Sequence, residues 1–293
     1  MIYADPTNDF AFKKIFGSQE HPRILIAFLN AILELPAPIE HVELANPYQI
    51  PKIEELKATI LDIRARDARG VEFIVEMQVE KDVAFAKRSL YYTAKSYVAQ
   101  LKKGEDYPSL NQVFFIGILD FTIFDNPAPI SRHLILDKAT GAHVLKDFEF
   151  TFVELPKFTK TLEELTHPAD PWLYFIKHAK QLEQIPALLE KTPVLPEAFE
   201  AAAQTVWSPD EIELYEYRKM HDARQRSVVE TARMEGEAKG RVEGWEEGIA
   251  EGEARGIEKG MEEGRTAALN EALHRLVATG MDETAARELL GIG

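Results

Sequence analysis

The sequence contains no cysteine and no long apolar run. The absence of cysteine excludes disulfide bonds, thiol nucleophiles and thiolate zinc sites. Apolar runs such as Val113–Leu119 are far shorter than the ~20 residues that span a bilayer. The first residues, MIYADPTNDF, lack the basic and apolar regions of a secretory signal. These absences lead us to expect a soluble, cytoplasmic protein.

Motifs for nucleotide-driven, acyl-transfer and zinc chemistry are also missing. The sequence has no P-loop, no G-x-S-x-G and no G-x-G-x-x-G after a predicted strand. The 8 histidines are scattered, without the H-x₃₋₅-H spacing of a zinc site. Any chemistry must therefore depend on carboxylates, amides and cationic side chains.

Charge is distributed unevenly along the 293 residues. The formal net charge of −15 would argue against a nucleic-acid partner if the charge were uniform. Residues 230–263 contain 11 acidic and 5 basic residues, whereas residues 84–104 contain five basic residues and no acid. The placement of charge is therefore more informative than its total.

Hydrophobic periodicity predicts an α/β fold for residues 1–155. Two helices, the first capped by Thr7 or Asn8, precede two strands, a long helix, a strand buried on both faces and further strands. The predicted bounds are 8–16 and 22–35 for the helices, 57–65 and 71–79 for the strands around a turn at 67–70, 84–103 for the long helix ended by Gly104, 113–119 for the buried strand and 132–155 for the last strands. This order indicates a mixed sheet flanked by helices.

Residues 156–229 have a helical period that prolines divide into short helices. We expect this helical extension to pack on the sheet, with Trp172, Leu173, Phe175 and Ile176 in the core. Residues 265–293 predict a C-terminal helical hairpin divided at Gly280. A docking hairpin is the preferred interpretation, and a small helix-turn-helix is the other.

Residues 230–264 form an acidic tail in which glycine occupies every fourth position from Gly236 to Gly264, eight times in all. Each glycine weakens a helix by ~1 kcal/mol relative to alanine, so eight cost on the order of 8 kcal/mol. One interpretation is a self-associating or partner-binding, coiled-coil-like helix, since glycine permits close backbone approach. Its apolar stripe would contain Trp245, Ile249, Ile257 and Met261. The other interpretation is a loosely ordered, solvated tail.

Two acidic residues, Asp62 and Glu76, lie on the two predicted strands on either side of the 67–70 turn. Adjacent strands would bring both carboxylates to one divalent cation, with the carbonyl of Met77 as a further ligand. Oxygen ligands of this kind suit Mg²⁺, which retains several waters and accepts a phosphate oxygen. From spacing alone, the plainer explanation is that both acids lie on the solvated face of a strand and bind no metal.

The surrounding residues carry a resemblance to a known family. They are the run NDFAFKKIFG at 8–17, Asp62, Glu76-Met-Gln78, Arg88-x-x-Tyr91, Gln100 and Gly104-x-x-Tyr107. In their order and spacing the chain resembles the PD-(D/E)XK nuclease family transposases, or Rpn-type recombination-promoting nucleases. The resemblance covers residues 3–150, extends more loosely to 170–200, and includes the glycine-every-four tail.

The resemblance implies a restriction-endonuclease-like core in which Asp62 and Glu76 bind Mg²⁺, with Mn²⁺ as the alternative ion. Gln78 stands where the wider superfamily has a lysine. An amide can orient the attacking water but supplies no positive charge to the transition state. Asp9, as the first-helix acid, would support the metal through water; its plainer explanation is an ion pair with Lys13 one turn later.

The helix after the second strand supplies a candidate DNA-binding face. Arg88, Tyr92, Lys95 and Lys102 recur at helical spacing and could follow phosphates. An ordinary solvated face is the alternative. Together these features predict a Mg²⁺-dependent DNA endonuclease that promotes recombination and self-associates through its tail. The alternative is a catalytically inactive DNA-binding or assembly protein.

Overall fold

The computed structural model describes residues 2–45, 48–49, 59–101, 104 and 106–292. Its contacts divide the chain into two compact units, residues up to Ala223 and residues from Arg224 onward. The predicted residues Lys102 and 57–58 lie outside the described part.

The first unit contains a sheet and short helices, and a long helix begins in it. The strands are β1 Val42–Leu44, β2 Tyr48–Gln49, β3 Thr59–Ile60, β4 Ile63–Asp67, β5 Glu72–Gln78, β6 Val113–Leu119, β7 Ile130–Leu134 and β8 Phe148–Glu154. The helices are α1 Asp9–Phe16, α2 Pro22–Leu33, α3 Phe85–Ala99, α4 Asp170–His178, α5 Ala187–Glu190, α6 Leu195–Ala202, α7 Pro209–Ala278 and α8 Glu283–Leu290.

Six strands form a mixed sheet in the order β1-β4-β5-β6-β8-β7. The central strands β5, β6 and β8 are parallel, while β1, β4 and β7 pair antiparallel. The predicted buried strand has the observed bounds of β6, and all seven of its residues are buried. Glycine suits position 117 of this strand, because a Cβ there would lie 3.1 Å from the rings of Phe85 and Phe152.

Helices cover both faces of the sheet, as the sequence predicts. On one face Phe73, Val75 and Met77 of β5 pack in one cluster with α1, α2, α4 and α6. On the other face Ile74 of β5 packs with Phe85 of α3. The expected core residues of the helical extension, Trp172, Leu173, Phe175 and Ile176, are all buried in the first cluster. This alternation follows from the two-residue period of a strand.

The turn between β4 and β5 is the one predicted at residues 67–70. Asp67 accepts hydrogen bonds through Oδ1 from the backbone N–H groups of Arg69 and Val71, and Gly70 has φ +86°. Asn8 is the cap of α1, accepting from Phe10 N–H at 3.1 Å and Ala11 N–H at 3.3 Å.

Two predicted bounds are wrong. The single strand expected at 57–65 is divided in the structure. Thr59–Ile60 forms β3, which pairs with β2, and β4 begins at Ile63, so Asp62 immediately precedes β4. The helix expected at 84–103 ends at Ala99. Just beyond this end, the amide of Gln100 accepts from Asn111 N–H and donates to its carbonyl, which fixes the departing chain.

The tail and the predicted start of the hairpin lie in α7, which continues without a break through residues 229–230 and 264–265. Apart from the adjacent residues and the surrounding backbone of α7, no described atom lies within 4 Å of a Cβ built on any of the eight repeat glycines, and Trp245 is 70% exposed. Gly280 has φ +95°, and Asp282 caps α8. None of the described helices is both long and apolar enough to cross a membrane.

Candidate active site

Asp62 and Glu76 meet where β4 begins and β5 approaches its end. The Asp62 carboxylate accepts from Met77 N–H at 2.8 Å, and Glu76 Oε1 accepts from Asp62 N–H at 3.2 Å. The Asp62 carboxylate thus takes the place of the backbone carbonyl that would accept from Met77 N–H if the β4–β5 pairing continued beyond Ile63 and Val75. Because N–H and C=O of one residue point to the same neighbour in an antiparallel pair, the Met77 carbonyl also faces this edge.

Lys13 of α1 bridges two carboxylates at this point. Its Nζ lies 2.6 Å from Asp9 Oδ1 and 3.0 Å from Asp62 Oδ1. The predicted Asp9–Lys13 pair is therefore present, and it extends to Asp62. Through Lys13, Asp9 is linked to the site.

Burial and nearby negative charge perturb the two central acids. Burial raises the pKa of Asp62, and the nearby Asp9 adds to this against the lowering effect of Lys13. Burial and the charge of Asp62 raise the pKa of Glu76 well above its usual value. Buried like charges that converge on one point are typical of functional sites, and a cation between them relieves the repulsion.

Gln78 follows Glu76 on the same face of β5 and contacts α3. Its Oε1 accepts from Arg88 Nη2 at 2.6 Å, and its Nε2 donates to the Glu80 carbonyl at 3.1 Å. Arg88 Nη1 also donates to Asp82 Oδ2 at 2.6 Å. The Arg88 guanidinium carbon lies 6.0 Å from the ring centroid of Tyr92, so both side chains from α3 reach this end of β5.

Tyr92 is close enough to the acids for their charges to act on it. Burial raises the pKa of its phenol, and the charge of Glu76 raises it further. Lys95 lies about two turns beyond Arg88, and its Nζ is 6.0 Å from the ring centroid of Tyr91. The structure therefore brings Arg88 and Tyr92 to the carboxylates, while Lys95 lies further along α3.

The donor set is suited to Mg²⁺ in composition. Lys13 pairs with Asp9 and Asp62, Arg88 pairs with Asp82, and Glu76 adds a fourth carboxyl group to these two cations. Two carboxylates and a carbonyl, with water, are a sufficient protein contribution for Mg²⁺. Within the described residues, no group of three or more His, Asp or Glu side chains is arranged around a single metal position.

Sequence reasoning did not assign Lys13 and Asp82 to the site. Lys13 lies within the run at residues 8–17, and its spacing from Asp9 predicts only an ion pair within the helix. Asp82 precedes α3 and accepts from Ala84 N–H at 2.7 Å, so its local pattern is that of a helix start. The contact of Lys13 with Asp62 and the contact of Asp82 with Arg88 arise only in the folded chain.

A mixed sheet with helices on both faces and a long C-terminal helix defines a restriction-endonuclease-like fold. The family model for the PD-(D/E)XK nuclease family transposases matches residues 6–232. The chain belongs to this family, which supports a nuclease or recombination-related role with nucleic acid as the substrate. Neither the curated proteins nor the solved structures gave a match.

Proposed function

We propose that the protein is a divalent-metal-dependent DNA endonuclease that hydrolyses phosphodiester bonds in recombination. The observation that carries this proposal is the convergence of the buried Glu76 carboxylate and the largely buried Asp62 carboxylate, where Asp62 accepts from Met77 N–H and Glu76 accepts from Asp62 N–H. Family membership supplies the substrate class. Asp62, Glu76 and the Met77 carbonyl would hold Mg²⁺ or Mn²⁺, and Asp9 would support Asp62 through Lys13.

Bound metal would polarise the scissile phosphate and lower the pKa of a coordinated water. The chain's own residues provide the setting for this chemistry. Burial keeps Glu76 and Asp62 poorly solvated, which strengthens their attraction to a cation. Arg88 and Tyr92 lie beside them on α3, where each terminal nitrogen of the guanidinium has one further N–H that can contact a phosphate. Lys95, about two turns further along the helix, would contact the DNA backbone outside the site.

Two conservative substitutions test the proposal. Asp62→Asn and Glu76→Gln retain oxygen acceptors for Met77 N–H and Asp62 N–H but remove the charge that holds the metal. We expect each to lower Mg²⁺-dependent cutting of plasmid DNA by about 10²-fold or more, since even the partners of metal ligands contribute 10–100-fold. Glu149→Gln is the control, because Glu149 is another partly buried acid whose pKa burial raises.

The readouts are cutting in Mg²⁺, cutting in Mn²⁺ and the melting temperature of each variant. Wild-type activity that survives in both site variants would remove these residues from the mechanism. A wild-type protein that binds DNA and cuts in neither metal would support the alternative, a catalytically inactive DNA-binding or assembly protein.

We also propose that the tail mediates self-association. In α7 the apolar side chains of Trp245, Ile249, Ile257 and Met261 are between 42% and 73% exposed, and the glycines are open. Exposed ion pairs one turn apart, such as Glu251–Arg255, support the helix by only ~0.5 kcal/mol each. Because these pairs do not offset the glycines, a second copy that buries the stripe would stabilise the helix.

A further inference from the structure

Gln78 occupies the motif position where the superfamily has a lysine, and its side chain is already engaged. The carbonyl oxygen accepts from Arg88, and the amide nitrogen donates to the Glu80 backbone carbonyl. We propose that Gln78 is a positioning residue for Arg88, and that the Arg88 guanidinium supplies at this site the positive charge that Gln78 lacks. This inference rests on the proposed function.

The guanidinium is held from several sides. Gln78 and Asp82 each bind one terminal nitrogen at 2.6 Å, and the Phe85 ring centroid lies 5.1 Å from the guanidinium carbon. These contacts fix the Arg88 side chain, which is 29% exposed and therefore still partly accessible. Its Nε is a buried donor that has no partner among the described atoms. A pre-positioned guanidinium loses little freedom when it binds an anion.

The charge of Arg88 acts on the carboxylate centre. Gln78 follows Glu76 on the same face of β5, so the hydrogen bond from Arg88 to Gln78 holds the guanidinium beside this carboxylate. A glutamine at position 78 suits this arrangement because its oxygen accepts from a guanidinium. A lysine there would place an ammonium beside Arg88, and two like charges at hydrogen-bond distance repel. The glutamine and the arginine therefore form one functional unit.

DNA binding without metal tests this pair while cutting is prevented. The assay measures the affinity for a fluorescent DNA duplex against salt concentration, for Gln78→Met, Arg88→Gln and the double variant. We expect Arg88→Gln to weaken binding about 10-fold and to reduce the salt slope by about 1. Gln78→Met should do the same because the guanidinium loses its support. The double variant should match Arg88→Gln.

Two variants serve as controls. Lys87→Gln removes a neighbouring exposed charge, and Gln100→Met removes another amide that binds the backbone beside α3. Neither should reproduce the loss shared by Gln78→Met and Arg88→Gln.

The melting temperature of Gln78→Lys should fall by at least about 3 °C and should recover in Gln78→Lys/Arg88→Gln, where one charge and one amide remain.

Three results would overturn the inference. Gln78→Met could keep the wild-type salt slope and lose only cutting, which is the result expected if Gln78 orients the attacking water. The double variant could lose twice the slope of either single variant. Wild-type protein could fail to bind DNA. A wild type that binds DNA with these slopes yet cuts in neither Mg²⁺ nor Mn²⁺ would refute the proposed function and leave the Gln78–Arg88 assignment supported.

Discussion

Lys13 offers a direct test of how the carboxylate centre is stabilised before metal binds. Replacing it by methionine keeps the length of the side chain and removes the ammonium that contacts both Asp62 and Asp9. We expect Lys13→Met to melt at a lower temperature than wild type without metal and to gain more from Mg²⁺. The reason is that the Lys13 ammonium stabilises the Asp62 carboxylate, which Mg²⁺ would also bind.

The magnitude follows from the burial of the pair. The Lys13 side chain is 37% exposed and that of Asp62 is 14% exposed. Exposed pairs contribute about 0–1 kcal/mol, whereas breaking a buried pair costs about 3–5 kcal/mol. An intermediate loss of about 1–3 kcal/mol lowers the melting temperature of a unit this size by about 3–10 °C. Removing a positive charge beside the metal position should also tighten Mg²⁺ binding by about 10-fold or more.

Differential scanning calorimetry with and without Mg²⁺, together with isothermal titration of Mg²⁺, measures both effects. Lys180→Met is the matched control, because Lys180 pairs with Asp5 at 2.6 Å and is 45% exposed. The control should change the Mg²⁺ response very little. Equal Mg²⁺ affinity in wild type and Lys13→Met would refute the reasoning, since the metal would then not share a carboxylate with Lys13.

Four further predictions concern packing, pH and the tail. Gly117→Ala should destabilise by about 1–3 kcal/mol in urea unfolding, because a methyl group would press on the rings around β6; an unchanged midpoint would show that the rings move freely. Burial raises the pKa of Glu72, but hydrogen bonds from Ser96 and Arg66 and the charge of Arg64 outweigh it and leave the pKa below its usual value. Stability from Glu72 is therefore present above the unfolded pKa and lost as pH falls through the folded one, so wild type should lose stability below about pH 4 more steeply than Glu72→Gln. Deleting residues 230–264 should lower the oligomeric state by light scattering, and an unchanged number of subunits would contradict the tail proposal. Alanine at all eight repeat glycines should raise helicity by circular dichroism while weakening association, whereas a solvated tail would change only in helicity.

Much of the fold was accessible from local sequence because its signals are local. The unbroken apolar run of β6 predicted a strand buried on both faces, and the structure confirms its bounds. The cap of α1 and the turn at Asp67–Gly70 depend on side-chain and glycine geometry within a few residues. The sequence predicts the turn and offers Thr7 or Asn8 as the cap, and the structure selects Asn8.

Other features required tertiary distances. Asp62 was expected inside a strand, yet its carboxylate takes the hydrogen bond from Met77 N–H and the strand begins one residue later. Gln78 matched a motif position, but nothing in its spacing showed that its oxygen accepts from Arg88. The same holds for Lys13, whose pair with Asp9 is a helix contact and whose pair with Asp62 crosses from α1 to the sheet.

The sequence by itself determined the alternation of helix and strand, the buried central strand, the family and the acidic residues worth testing, because periodicity and motif order are properties of neighbouring residues. Tertiary structure alone decided which cations face those acids. Ion pairs and hydrogen bonds act over a few ångströms, and only the folded chain brings Lys13 of α1 to Asp62 and Arg88 of α3 to Gln78, beside Glu76 on β5.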